Sequence, residues 1–237
     1  MKILVIGGMH GNEPLGLEIV KLLNQQQNPM IDTILANNPA IQQGVRFCEL
    51  DLNRSFPGDA LSQDYEPKRA AEILEACEAY DVVFDFHNTH CPDNDCSFVG
   101  ETADSLLYDI SDWLGLSRVI VADYACLNKF AANCISIEIS LASDRMSAEK
   151  WVAKITELAA LHRLPEAKTI ERYKFVYRLT LEDRDKYSLQ SRNLKAFRPL
   201  TASLAVALGF TSTCYPIFIG DRYTPYNFGG LLTKIDV

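Results

Sequence analysis

The sequence has no run of about 18 apolar residues, so no segment reads as a membrane-spanning helix. It has no block of lysine and arginine. With 23 basic against 31 acidic residues, the formal charge is −8, and a nucleic-acid partner is not expected. No basic leader precedes an apolar signal segment, because Met1 runs straight into "KILVI". A pattern of paired cysteines is missing too. The seven cysteines (48, 77, 91, 96, 126, 134 and 214) are odd in number and irregularly spaced, which predicts reduced thiols in a cytoplasmic protein. Cys91 and Cys96 flank a C-x4-C near His87 and His90, but without a second pair they read as loop cysteines. There is no internal repeat. Histidine is scarce, at four residues, so the position of each one carries weight.

What is present is an ordinary globular balance of 48% hydrophobic and 23% charged residues in 237, enough to bury a core without disulfides. Residues 2–8 read as a strand ending in glycines, and Asn12–Leu23 as a helix with Pro14 early and apolar residues at helical spacing. Met30–Asn37 reads as strand, Asn38–Gly44 as a turn-rich connection, Glu66–Tyr80 as helix. Asp81–His87 is a buried-looking strand that stops at its histidine. Ser105–Gly115 reads as helix, Ser117–Asp123 and Asn133–Ser140 as strands, and Ser147–Leu164 as a long amphipathic helix carrying a solvated His162. Strands alternating with helices predict an α/β fold with a mixed sheet covered on both faces. After Pro165 the texture becomes strand-like (Ile170–Leu181, then apolar runs at 202–208 and 214–219) with no convincing helix. The expected division is 1–164 as the main domain and 165–237 as a small β-rich domain.

Open α/β sheets bind ligands beyond the carboxyl ends of their strands. His10 and Glu13 in "GGMHGNE" follow one strand, His87 ends another, and Glu138 lies in or near the end of a third. Two histidines and a carboxylate form a zinc set with a fourth position left for water. H-x-x-E alone occurs by chance, with Glu13 as a first-turn helix acid; His87 tips the balance toward a metal. Asp85, two residues before His87, is placed to brace its imidazole. His90 is the rival third ligand. In "VRFCELDLNRSFPG", Arg46, Asn53 and Arg54 can surround a carboxylate, with Glu49 and Asp51 as surface counter-charges in the alternative. Glu138, an acid between two isoleucines, suits proton transfer or else a core salt bridge.

"GGMHGNE", "NNPAIQQGVRFCELDLNRSFPG", "VFDFHNT" and "SIEIS" together resemble, in order and spacing, the aspartoacylase/succinylglutamate desuccinylase family, zinc-dependent relatives of the metallocarboxypeptidases. "FRPL" and "YPIFIGDRY" resemble its aspartoacylase branch. The resemblance implies a zinc carboxypeptidase-like fold with a C-terminal domain covering the site, and one zinc ion on His10, Glu13 and His87. It implies that Arg46 polarises the carbonyl, that Asn53 and Arg54 hold a carboxylate, and that Glu138 acts as general base. Tyr124 matches a substrate-binding tyrosine, and Tyr223 and Tyr226 compete for a second such role. The family's further arginine is replaced here by Asn128, with Lys129 adjacent. The expected activity is hydrolysis of a small anionic N-acyl amino acid, N-acetyl-L-aspartate first, with no membrane or nucleic-acid partner and a homo-oligomer left open. A peptidase, a deacylase of another N-acyl amino acid and an inactive zinc binder are the alternatives.

Overall fold

The computed structural model describes residues 1–235 apart from 123, 125, 162, 165–169 and 221–226. Seventeen elements follow in chain order: β1 (Ile3–Gly7), α1 (Pro14–Gln26), β2 (Ile31–Leu35), α2 (Asn38–Gln43), α3 (Tyr65–Cys77), β3 (Val82–Thr89), β4 (Cys96–Gly100), α4 (Ser105–Trp113), β5 (Arg118–Ala122), α5 (Leu127–Phe130), β6 (Cys134–Ser140), α6 (Ala148–Ala160), β7 (Glu171–Thr180), α7 (Leu181–Lys186), α8 (Ala202–Ala207), β8 (Cys214–Ile217) and β9 (Asn227–Ile235). The described strands form one mixed sheet in the order β2-β1-β3-β6-β4-β5-β7-β9-β8. No described helix is long and apolar enough to cross a membrane.

The central strands are apolar on alternate positions for different reasons. Phe84, Phe86, Ile135, Ile137 and Ile139 turn to one face, where α1, α4 and α6 cover them with Ile19, Ile110, Trp151 and Ile155. Val83 and Cys134 turn to the other, packed with Leu4 and Ile6 of β1 and with Ile73 of α3. Strands covered on both faces read as near-continuous apolar runs, as these do. On that second face the register of β3 and β6 stacks Val83 beside Cys134, Asp85 beside Ser136 and His87 beside Glu138. The face therefore begins apolar and becomes polar toward the strand ends.

Several expected boundaries move. The strand at residues 81–87 continues to Thr89, so His87 lies inside it. The connection at 38–44 is a short helix: Asn37 caps it by accepting from Ala40 N, and Gly44 closes it at φ 63°. The helix expected over 147–164 ends at Ala160, and His162 lies outside the described residues. Cys91 is buried between β3 and β4, and Cys96 opens β4, so only the first is a loop cysteine.

Beyond residue 165 two helices were not expected. α7 is set by a capping box in which Thr180 and Asp183 satisfy each other's backbone, and α8 by the Thr201 hydroxyl. Both are too short to show helical periodicity. The later strands extend the same sheet: β7 lies parallel to β5, and β9 and β8 follow antiparallel.

Candidate active site

The loop after β1 is held tightly. Ala36 N donates to Gly7 O, Asn37 N to Gly8 O, and Gly11 N to Arg46 O, so the loop carrying His10 is tied to both of the segments that follow β2. At Gly11 a Cβ would meet the Ala40 carbonyl oxygen at 2.3 Å, which restricts the position to glycine. Glu13 occupies the N-cap of α1 but makes no side-chain cap. The vacant acceptor role is filled from β3, where Asn88 Oδ1 accepts from Leu15 N at 3.0 Å and Asn88 Nδ2 donates to Ile139 O. Asn88 thus relieves Glu13 of capping and ties α1 to the strand that carries His87.

The freed carboxylate lies between the two histidines. His10 Nδ1 is 2.7 Å from Glu13 Oε1, and His87 Nδ1 is 3.0 Å from Glu13 Oε2. All three residues are buried. Among the described residues they form the group able to hold a metal, with ligand atoms within 4.8 Å of one another. The far nitrogen of each ring meets another carboxylate: His87 Nε2 is 2.7 Å from Asp85 Oδ2, and His10 Nε2 is 3.1 Å from Asp51 Oδ1. Asp51 also accepts from Asn53 N and pairs with Arg46 Nη2 at 3.4 Å, while Arg46 Nη1 reaches Glu13 Oε1 at 3.4 Å.

The electrostatics follow. Burial pushes the Glu13 carboxyl up, but the charges of His10 and His87 outweigh it and hold the group well below the usual carboxylate range. Asp51 is lowered in the same way, burial being overcome by the hydrogen bond and charge of His10 and by Arg46 and Arg54. Burial would lower His87, yet Asp85 and Glu13 raise it well above the ordinary imidazole value.

A cavity of about 450 Å³ opens on this cluster. Of the residues expected from sequence, His10, Glu13, His87, Arg46, Asn53, Arg54, Tyr124 and Glu138 all line it. Asp85 sits behind His87, fully buried. Arg54 lies over the Tyr124 ring, 5.1 Å from its centroid, and Tyr124 meets Phe175 edge-on at 6.0 Å. Burial, with Cys126 beside it, pushes the Tyr124 phenol up, so it stays a donor. Exposed His90 is not in the metal group, and Tyr223 and Tyr226 lie outside the described residues.

Residues to which the sequence assigns no site role also line the cavity. Asp51 was visible only as a counter-charge, although its "DLNR" setting placed it five residues from Arg46. Phe98 and Phe218, stacked at 6.1 Å, and Phe175 and Arg178 of β7 add a wall that no local pattern announces.

A family model of the succinylglutamate desuccinylase/aspartoacylase catalytic domain matches residues 1–149. An N-acyl-aromatic-L-amino acid amidohydrolase (carboxylate-forming) of Xenopus laevis is 36% identical over 104 residues, covering 37% of this chain and 34% of that protein. An aspartoacylase of Rattus norvegicus is 36% identical over 106 residues, with the same coverage of 37% and 34%. The matched segment therefore spans about a third of those relatives' length. Among solved structures, a succinylglutamate desuccinylase from Chromobacterium violaceum aligns with a TM-score of 0.77 at 17% identity, covering 100% of this chain and 85% of that one. Murine aminoacylase 3 aligns with a TM-score of 0.74 at 22% identity, covering 100% and 96%. At these identities the likeness is one of fold.

Proposed function

The chain belongs to the succinylglutamate desuccinylase/aspartoacylase family, and from that premise we propose that it is a zinc-dependent hydrolase of N-acyl amino acids, N-acetyl-L-aspartate being the leading substrate. The reading is carried by one observation: two histidines and a glutamate converge, buried, beside a guanidinium at the floor of one cavity. The donor set fits a single zinc ion with a position left open. Both rings present Nδ1 inward, and both are braced at Nε2 by a carboxylate. A zinc ion held by His10, Glu13 and His87 would supply Lewis acidity at the amide carbonyl and acidify a water molecule.

The chain's own residues do the rest. Arg46, adjacent to Glu13, donates to the oxygen on which charge develops. Asn53 and Arg54 hold the substrate's α-carboxylate, with Tyr124 packed under the Arg54 guanidinium. Glu138 stands beside His87 on the adjacent strand. It takes a proton from the attacking water at a carboxylate oxygen and returns it to the leaving nitrogen as the C–N bond breaks. The products are acetate and aspartate. Residues 1–164 carry the reacting groups in this reading, and residues 165–237 cover them. That cover favours a small substrate over the peptide of a carboxypeptidase-like enzyme, and the free thiols speak for a cytoplasmic setting.

A second reading draws on the aromatic wall. Phe98, Tyr124, Phe175 and Phe218 would suit an N-acyl amino acid with an aromatic side chain.

Amine release from N-acetylaspartate, N-acetylglutamate, N-succinylglutamate, N-acetylphenylalanine and a dipeptide, with zinc present, tests the proposal. Turnover of an acyl amino acid that a chelator abolishes and zinc restores is the expected result. Preference for the phenylalanine derivative would select the second reading. Loss of turnover with retained binding in Glu138→Gln excludes a pure binding protein. Zinc-loaded protein that cleaves none of the acyl amino acids would sink the proposal.

A further inference from the structure

Residues 45–51 carry two groups that reach the buried cluster, Arg46 to Glu13 and Asp51 to His10, yet no helix or strand covers this segment. Apolar packing does little to hold it, because Val45, Phe47 and Leu50 are exposed. A hold comes instead from α3. Glu66, in the first turn of that helix, is fully buried, and its Oε1 accepts from Cys48 N at 3.3 Å and from Glu49 N at 3.4 Å. Those two amides lie between Arg46 and Asp51 in the chain. The same oxygen accepts from Asn37 Nδ2 at 3.4 Å. Asn37 in turn donates its backbone N–H to Gly8 O, two residues before His10. Glu66 therefore adds a second tie between the His10 loop and the Arg46–Asp51 segment, beside the bond from Gly11 N to Arg46 O. Its other oxygen, Oε2, is buried with no hydrogen-bond partner among the described residues. An unpaired buried oxygen costs stability, so a stabilising contact alone is a poor account of this carboxylate.

We propose that Glu66 is a positioning residue for the hydrolytic step: by fixing the backbone at Cys48 and Glu49, it aims the Arg46 guanidinium into the cavity and holds Asp51 against His10. It does not line the cavity and acts through those two residues. The inference rests on the hydrolase reading above and adds to it a residue outside the reacting groups. A guanidinium that stabilises developing charge must sit within hydrogen-bond reach of it, and a displacement of about 1 Å can cost on the order of 100-fold in rate. A loop without packing of its own reaches such accuracy only through fixed backbone bonds.

The test compares the parent with Glu66→Leu, which keeps the volume and removes the acceptor, and Glu66→Gln, whose amide oxygen can still accept from both backbone N–H groups. Two quantities are read: turnover of the best acyl amino acid, and zinc affinity by competition with a chromophoric chelator. In Glu66→Leu, kcat falls by about 10- to 100-fold while KM stays within about threefold, as expected when an interaction made in the transition state is lost. Zinc binding weakens by about tenfold, because Asp51 no longer braces His10. Glu66→Gln recovers most of both losses. In an Arg46→Ala background, Glu66→Leu lowers kcat by less than about twofold further, because the residue it acts through is gone. Should Glu66→Leu not fold, Glu66→Asp replaces it: one methylene shorter, it withdraws the acceptor from the two amides and gives the same signature. Full additivity with Arg46→Ala, a Gln variant no better than the Leu variant, or a Leu variant with parental kcat overturns the proposal. If the parent cleaves no acyl amino acid, the hydrolase reading fails first and zinc affinity decides the role of Glu66. A loss in Glu66→Leu that Glu66→Gln recovers supports it; unchanged affinity, or a parent that binds no zinc, overturns it.

Discussion

Asp85 and Asp51 each hold the outer nitrogen of a histidine, and so decide which face of the ring looks inward. Removing that brace leaves the ligand in place but frees its tautomer and rotation. Asp85→Asn and Asp51→Asn should each weaken zinc binding by about 10- to 100-fold, read by competition with a chromophoric chelator. Unchanged affinity in both would mean the carboxylates are only local counter-charges. The thiols allow a second test. Burial, only partly offset by a backbone hydrogen bond from Lys129 and by Arg54, pushes the Cys126 thiol up to about 11. A raised thiol pKa means fewer thiolates at neutral pH, so about a thousandth of Cys126 is reactive at pH 8. Iodoacetamide at pH 8 should label exposed Cys48 long before Cys126, and the Cys126 rate should rise about tenfold per pH unit until near its pKa. Mass mapping that finds the two labelled together would contradict this.

Helix α1 serves the site by where it begins. It approaches β1 so closely that a Cβ on Gly7 would lie 2.3 Å from Gly16 O. Gly7→Ala must push the helix off the strand, costing about 1–3 kcal/mol in denaturant unfolding and carrying Glu13 away from the histidines. Zinc affinity should fall with stability. Asn88→Ala acts at the same helix start by a different route, since it strands Leu15 N without an acceptor and costs about 1 kcal/mol. Glu13 would then be drawn back toward capping, so zinc affinity is again expected to drop. If Asn88→Ala lost stability but bound zinc as the parent does, Asn88 would be a helix cap and nothing more.

For the whole molecule, the sheet runs without a break from β2 to β8. Removing residues 165–237 would strip β7 from β5 and leave a long unpaired edge, along with an open cavity lacking Phe175, Arg178 and Phe218. A chain of residues 1–164 is expected to aggregate or elute as a mixture in size-exclusion chromatography. A monomeric, cooperatively melting 1–164 would show instead that the later residues form a separable unit.

The amino-acid sequence by itself determined the α/β alternation, the nearness of His10 to Glu13, and the brace from Asp85 to His87. Each of these is local: strand and helix periods show in short windows, and Asp85 and His87 share a strand face because they are two residues apart. Short capped helices escaped, since α2, α7 and α8 rest on one or two side-chain-to-backbone bonds and bury too little to show a period. Tertiary structure alone decided the rest. Asp51 meets His10 across 41 residues, and Asn88 meets the start of α1 across 73. Arg178 enters the cavity only because one inserted residue in β7 reverses the alternation that any reading of the strand assumes. Pairing register is settled between strands far apart in the chain, so its effect on which face a side chain takes is not written in the neighbouring residues.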